Sequence, residues 1–238
     1  MDISTGFPRG NRLLSALPKS EFERIAPHLF EVDLSSGQIL YQPHERIKTV
    51  YFPTSAMISI VSVMEDGSTV EVGIVGNDGM LGYSVYLGGG SSHNRALVQI
   101  EGKALQLDAI YLKNEFERGG VMRQLLLLYT QAFIAQTTQT AACNRFHPTE
   151  ERLARWLLQS QDFTGSEKLP LTQDFLSSML GIRRASVTVA AGSLQQAGMI
   201  RYNRGKIKIL DRTALEATTC ECYEIVRREY DRLLALVE

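Results

Sequence analysis

The sequence predicts an α+β chain with three parts: an N-terminal antiparallel β-roll, a long apolar helix, and a C-terminal winged helix-turn-helix. Three observations predict it. Between Phe30 and Asp108 short alternating or β-branched runs recur at fairly even spacing, each bounded by turn residues. Val121 to Ala135 is apolar around most of a helical circumference. Leu171 to Ile209 reads as two short amphipathic helices about Gly181, followed by a hairpin.

Hydrophobic content of 44% with 21% charged residues describes a globular chain with enough apolar side chains for a sizeable core. No apolar run reaches membrane-spanning length, and Met1 to Arg12 lacks the apolar stretch of a signal peptide. Three cysteines make no disulfide framework, so a reducing, cytoplasmic setting is expected. Leu13 to Phe30 carries apolar residues at helical intervals broken by Pro18 and Pro27, which implies one or two short helices. The predicted strands are 30–34, 39–41, 50–52, 57–64, 69–75, 95–100 and 104–107. Ser35-Ser36-Gly37, Glu65-Asp66-Gly67 and Gly76-Asn77-Asp78-Gly79 are among the turns between them. Such a series favours a barrel, roll or sandwich over alternating βα units. Gly88-Gly89-Gly90 is not a phosphate loop, because no Gly-Lys-Ser/Thr follows; a hairpin tip is expected there.

Ile110 to Cys143 is predicted helical with a pause at Gly119-Gly120. Its apolar second half needs cover on more than one side. The roll can supply one side and a second copy of the same helix another, giving a two-fold dimer through Val121, Leu125, Leu128, Ala132 and Ala135. Pro148 ends the pattern. Thr149 is expected to cap the next helix, with Glu150 and Glu151 in its first turn. The domain division is therefore 1–109 for the roll, 110–147 for the dimerisation helix and hinge, and 148–238 for the DNA-binding unit.

Thr172 is predicted as an N-cap, with Phe175, Leu176, Met179 and Leu180 forming an apolar stripe. The second helix turns Ile182, Val187, Ala190, Ala191 and Leu194 inward and ends at Gly198. Ile200 to Ile209 forms the wing around Asn203-Arg204-Gly205. From Lys168 to Arg212 eight basic residues face two acidic ones, while the whole chain carries −1, so positive charge is concentrated in this element. Double-stranded DNA is the implied partner. The expected base-reading residues are Arg183, Arg184, Ser186 and Thr188. Thr172, Gln173, Arg204, Lys206 and Lys208 are expected at phosphates.

The order of parts resembles the Crp/Fnr family of bacterial transcription factors over nearly the whole chain. The match is closest in form at Leu171-Thr172-Gln173, Met179-Leu180-Gly181, Arg184, Ser186-Val187 and Leu194 to Ile200. The resemblance implies a DNA-binding homodimer on a palindromic operator, RNA polymerase as a further partner, and a signal passed from roll to DNA domain. The family's recognition helix commonly presents arginine, glutamate and a second arginine. Arg184 holds the first position, and Ala185 and Val189 stand at the other two. A bidentate arginine–guanine contact contributes about 1–3 kcal/mol of discrimination, so the founding members' operator is not implied. In cyclic-nucleotide-binding members a glutamate holds the ribose and an Arg-Ser or Arg-Thr pair meets the phosphate. Here the glutamate position is Tyr83, followed by Ser84, and Arg95 precedes Ala96. Tyr83, Ser84 and Arg95 are the candidate effector pocket, for an effector the sequence does not identify, and a cyclic-nucleotide-responsive regulator is the alternative reading.

No catalytic constellation or cofactor motif is expected. An iron–sulfur cluster usually takes four thiolates, and the three cysteines fall short. Cys220-Glu221-Cys222 has no histidine nearby in sequence, and His28, His44, His93 and His147 are scattered without ligand spacing, so no metal site is expected. A cupin-like enzyme would need several histidines and a carboxylate from adjacent strands, which the roll lacks. The remaining rival is a ligand- or partner-binding module whose helix-turn-helix is only structural.

Overall fold

A computed structural model describes residues 10–235 of the 238-residue chain, so most of the polar N-terminal stretch read above lies outside the described residues. Two short helices, α1 (Arg12–Ser15) and α2 (Lys19–Ile25), precede a single 3-10 turn at Ala26–His28. The strands follow: β1 (Phe30–Leu34), β2 (Ile39–Tyr41), β3 (Thr49–Pro53), β4 (Met57–Val63), β5 (Thr69–Val75), β6 (Arg95–Ile100) and β7 (Gly102–Asp108). They pair antiparallel in two sheets, of order β1-β7-β3 and β2-β6-β4-β5. Val50, Phe52, Ile58, Ile60, Ala96, Val98 and Leu107 alternate inward and close the space between the sheets. The expected strands are therefore present, differing by at most two residues at their ends.

Helix α3 (Ala109–Arg118) stops at Gly119-Gly120, both in the positive-φ region, and α4 (Val121–Phe146) begins at once. The new helix end is satisfied from α2: Glu21 accepts from the amides of Val121 (3.0 Å) and Met122 (2.8 Å). A carboxylate there also opposes the helix dipole. Tyr129 hydroxyl donates to Met80 carbonyl at 2.8 Å. That ring packs so closely on the turn after β5 that a Cβ at Gly79 would lie 2.5 Å from it.

The C-terminal part comprises α5 (Thr149–Thr164), β8 (Lys168–Leu169), α6 (Gln173–Leu180), α7 (Arg184–Gln196), β9 (Ile200–Asn203), β10 (Lys206–Ile209), α8 (Arg212–Thr218) and α9 (Cys222–Leu234). Three details differ from expectation. Pro148 is the residue that precedes α5, and Thr149 is its first helical residue and makes no side-chain cap. Ile182 lies in the turn before α7 and is only half-buried. The wing sheet gains a third strand, β8, beside β10.

α9 leaves the helix-turn-helix region and returns to α4. Its Tyr230 hydroxyl accepts from Gln136 Nε2 at 3.3 Å, and Gln136 Oε1 accepts from Ile74 amide at 2.7 Å. Roll, long helix and C-terminal helix thus meet at one side chain. Covered by the roll and α9, α4 keeps one open stripe, including Leu127 (45% exposed) and Ile134 (55%). Leu125 and Ala132, expected at a dimer contact, are instead buried in the chain's own core, because the roll and α9 occupy those sides. Val121, Leu128 and Ala135 are half-buried at the edges of the open stripe.

Candidate nucleic-acid interface

Thr172 opens α6 by accepting from the Phe175 amide at 3.2 Å, the cap its hydroxyl predicts. Leu176, Met179 and Leu180 bury the inner stripe. Gly181 ends the helix at φ 62°, and any Cβ there would also meet Val70 at 3.0 Å. Only glycine satisfies both conditions without strain. The chain then turns through Ile182 and extended Arg183 into α7, whose Val187, Ala190, Ala191 and Leu194 are buried.

The outer side of α7 begins with Arg184, whose side chain is 64% exposed. Its Nε donates to Gln173 Oε1 at 3.4 Å, and the same oxygen accepts from Thr188 Oγ1 at 3.0 Å. Asp174 lies 3.3 Å from the guanidinium. Gln173, Arg184 and Thr188 thus form one polar group on the outer surface, oriented before any ligand arrives. Ala185 and Val189 share this surface, with Val189 70% exposed. A valine so open on a helix is not part of the core, and it adds an apolar contact suited to a thymine methyl. The resemblance already put Val189 at one of the family's recognition positions, and helical geometry agrees, since Val187 faces inward and Val189 lies two residues on.

Arg183 and Ser186 fall elsewhere. With Gly181 and Ile182 they line a cleft of about 960 Å³, whose other wall is formed by Gly67 to Val70 at the β4–β5 turn. The four expected base-reading residues are therefore split between two surfaces.

The wing turns through Arg204 (φ 47°) and Gly205 (φ 76°), with Asn203 facing Lys206. Two positive φ values in succession are the two-residue turn that suits strand twist. A Cβ on Gly205 would sit 3.2 Å from Thr172 Cγ2, so the wing tip lies beside the start of α6. Arg201, Arg204 and Lys206 are exposed, and Lys208 is partly shielded, 3.7 Å from Glu167. Arg212 is withdrawn from this positive set. It pairs with Asp162 and Glu216 at 2.8 Å each and donates to the Tyr223 hydroxyl.

This unit docks on the roll through α5. Trp156 Nε1 donates to Glu71 Oε1 at 2.9 Å, and Ser59 hydroxyl donates to the other carboxylate oxygen. Burial pushes the Glu71 carboxyl up to about 7, against these donors and the field of Arg155. Met57, Ile74 and Ile100 of the roll share an apolar cluster with Trp156, Leu157 and Leu176.

The candidate effector residues are not gathered. Tyr83 is half-buried with its ring 5.2 Å from Phe133, and Arg95 donates to Gln42 Oε1 at 3.0 Å. No contact joins Tyr83, Ser84 and Arg95 among the described residues. Buried Tyr41, Val85 and Tyr86 belong to the roll's packed core, and burial holds both of these tyrosine hydroxyls well above their ordinary value.

No metal-binding group is expected from sequence spacing, yet the fold gathers four potential ligands at one point. Cys143, His147, Cys220 and Cys222 bring one donor atom each to within 4.8 Å of one another. The last turn of α4 contributes Cys143, the residue just after it His147, and the α8–α9 junction the other two, which sequence distance concealed.

Among the described residues no helix is long and apolar enough to cross a membrane. Residues 31–118 match the cyclic nucleotide-binding domain family, and residues 151–218 match the Crp-like helix-turn-helix domain family. None of the curated proteins matches the chain in sequence. Among solved structures, FixK2 from Bradyrhizobium japonicum is similar at TM-score 0.68 and 15% identity, covering 81% of this chain and 98% of that one. A Crp/Fnr-family regulator from Eubacterium rectale gives TM-score 0.63 and 17% identity, with 87% and 96% covered. The c-di-GMP-responsive global regulator CLP from Xanthomonas campestris gives 0.63 and 14%, with 81% and 99% covered. The chain thus carries a cyclic nucleotide-binding domain followed by a Crp-like helix-turn-helix domain, and over more than four-fifths of its length it shares the fold of Crp/Fnr-family structures.

Proposed function

We propose that the chain acts as a homodimer on a palindromic DNA operator, reading bases from the outer surface of α7 and gripping phosphates with α6 and the wing. The observation that carries this reading is the Gln173–Arg184–Thr188 group: polar, exposed and held in place beside a cationic wing. Arg184 and Thr188 meet base edges, joined by Val189. Arg183 and Ser186 join them once the cleft against the β4–β5 turn widens. Thr172, Gln173, Arg204, Lys206 and Lys208 meet the backbone, where positive charge gives affinity without sequence information.

The dimer forms along the open stripe of α4. Gln124, Leu127, Gln131, Ile134, Thr138 and Ala141 recur at alternating three- and four-residue steps, the spacing of a two-helix seam. Pairing α4 with its copy places two recognition helices on half-sites about 34 Å apart. The division at residues 109 and 147 keeps its functional sense, the roll acting as sensor and RNA polymerase being contacted from the DNA-bound dimer in the cytoplasm. Control by an unidentified signal passes from roll to α7 through the Trp156–Glu71 contact and the cleft. The separated effector residues and the filled roll weigh against a cyclic nucleotide as that signal. The testing experiment is footprinting across a range of salt concentrations: salt-sensitive protection of two symmetric half-sites supports the proposal, and salt-insensitive or absent protection refutes it.

A further inference from the structure

Four side chains with thiophilic donor atoms converge where the DNA-binding part joins the long helix. Cys143 Sγ lies 3.6 Å from Cys220 Sγ, and Cys222 Sγ lies 3.4 Å from His147 Nδ1. A tetrahedral zinc ion with Zn–S near 2.3 Å and Zn–N near 2.0 Å sets S–S and S–N edges of about 3.8 and 3.5 Å. These two spacings are close to those edges, and all four donor atoms lie within 4.8 Å of one another. A four-iron cluster places each thiolate on a different iron and needs a wider cage, so the compactness selects a single ion.

The surroundings are those of a metal centre as well. His147 offers Nδ1 inward, while its Nε2 lies 3.3 Å from Glu221 Oε2, an arrangement that fixes tautomer and ring orientation in metal-binding histidines. Gln139 Nε2 donates to Cys222 Sγ at 3.1 Å. All three cysteines are buried. Nearby, Arg152 and Arg155 are 6% and 4% exposed, and each keeps an Nε with no hydrogen-bond partner among the described residues. Buried cations with spare donors are costly unless negative charge lies close. One divalent ion with three thiolates carries a net charge of about −1, of the sign these arginines lack.

We propose that Cys143, His147, Cys220 and Cys222 hold one tetrahedral Zn²⁺ that clamps the start of α9 to the end of α4, across the hinge leading to the DNA-binding part. The thiols lose their protons to solvent as the ion enters, so loading weakens as pH falls. The ion closes a loop from Cys143 to Cys220 that contains the whole helix-turn-helix, fixing both ends of that unit relative to the long helix.

The test uses the full chain, reduced and stripped of metal, titrated with Zn²⁺ and separately with Co²⁺. The expected result is one ion per chain, a cobalt spectrum with intense tetrahedral d–d bands and thiolate charge transfer, and slowed amide exchange at α9 on loading. Glu221→Gln, a surface change that spares folding, is expected to weaken zinc affinity by about 10-fold or more. Cys222→Ser should weaken it further and remove part of the charge-transfer intensity. Arg184→Ala should lose base preference and keep full zinc loading, which separates this site from the DNA interface. Sub-stoichiometric zinc, an octahedral cobalt spectrum, or a Cys143–Cys220 disulfide formed in place of metal binding would each overturn the proposal.

Discussion

Trp156 donates its indole hydrogen to the buried Glu71 carboxylate at 2.9 Å, joining the helix that carries the DNA-binding part to the sheet of the roll. One side of this contact is the first helix of the C-terminal part, and the other lies on β5, the edge strand of the roll's four-stranded sheet. Removing the donor leaves a buried acceptor without its partner. Trp156→Phe is expected to lower stability by about 1–3 kcal/mol, read from urea unfolding. An unchanged midpoint would show that the contact does not hold the parts together.

The same carboxyl makes stability depend on pH. Its folded value, up to about 7, lies above the ordinary 4.5, so between those values the folded chain holds a proton the unfolded chain has released. Stability therefore falls as pH rises from about 4.5 to 7, by up to about 3 kcal/mol from this group alone. Glu71→Gln should flatten that part of the profile relative to the parent, measured by unfolding at pH 5 and pH 7. Matching slopes in the two proteins would count against a protonated Glu71.

Much of this architecture was legible in residue patterns. Thr69–Val75 and Arg95–Ile100 are β-branched runs between turn residues, and their strands begin and end where those patterns do. Thr172 and Gly181 marked the two ends of α6, because a cap hydroxyl and a left-handed residue each have one local job. What stayed hidden depends on distance along the chain. Cys143 and Cys220 are 77 residues apart, and His147 and Cys222 are 75 apart, so no spacing rule joins them. The return of α9 onto α4 likewise leaves no local signal, and it decided that Leu125 and Ala132 face inward. Arg183 and Ser186 are expected at base edges with Arg184, whereas the β4–β5 turn, 110 and more residues earlier, supplies the other wall of the cleft they line, which no local pattern reveals.

The two kinds of DNA contact should separate by mutation. Arg184→Ala should relax preference at one base pair, with a loss of about 1–3 kcal/mol at the preferred site. Lys206→Ala should weaken all sequences alike and reduce the salt slope by about one unit. Affinity and base preference both intact in Arg184→Ala at fixed salt would remove it as a reading residue.

For the dimer, the open stripe of α4 makes a sharp distinction. Ile134→Glu places a charge where the side chain is 55% exposed in one chain, so the folded subunit should tolerate it. Two copies of that charge facing each other should split the assembly. Sedimentation of the variant is expected to show a monomer that still unfolds in one cooperative step, and a retained dimer would place the seam elsewhere.

The most direct measurement is selection of bound duplexes from a random pool by the purified chain. The account predicts an inverted repeat with half-site centres about one helical turn apart, roughly 10 base pairs, and an affinity that falls steeply with salt. Recovery of no enriched sequence, or of a single asymmetric site bound by a monomer, would contradict it.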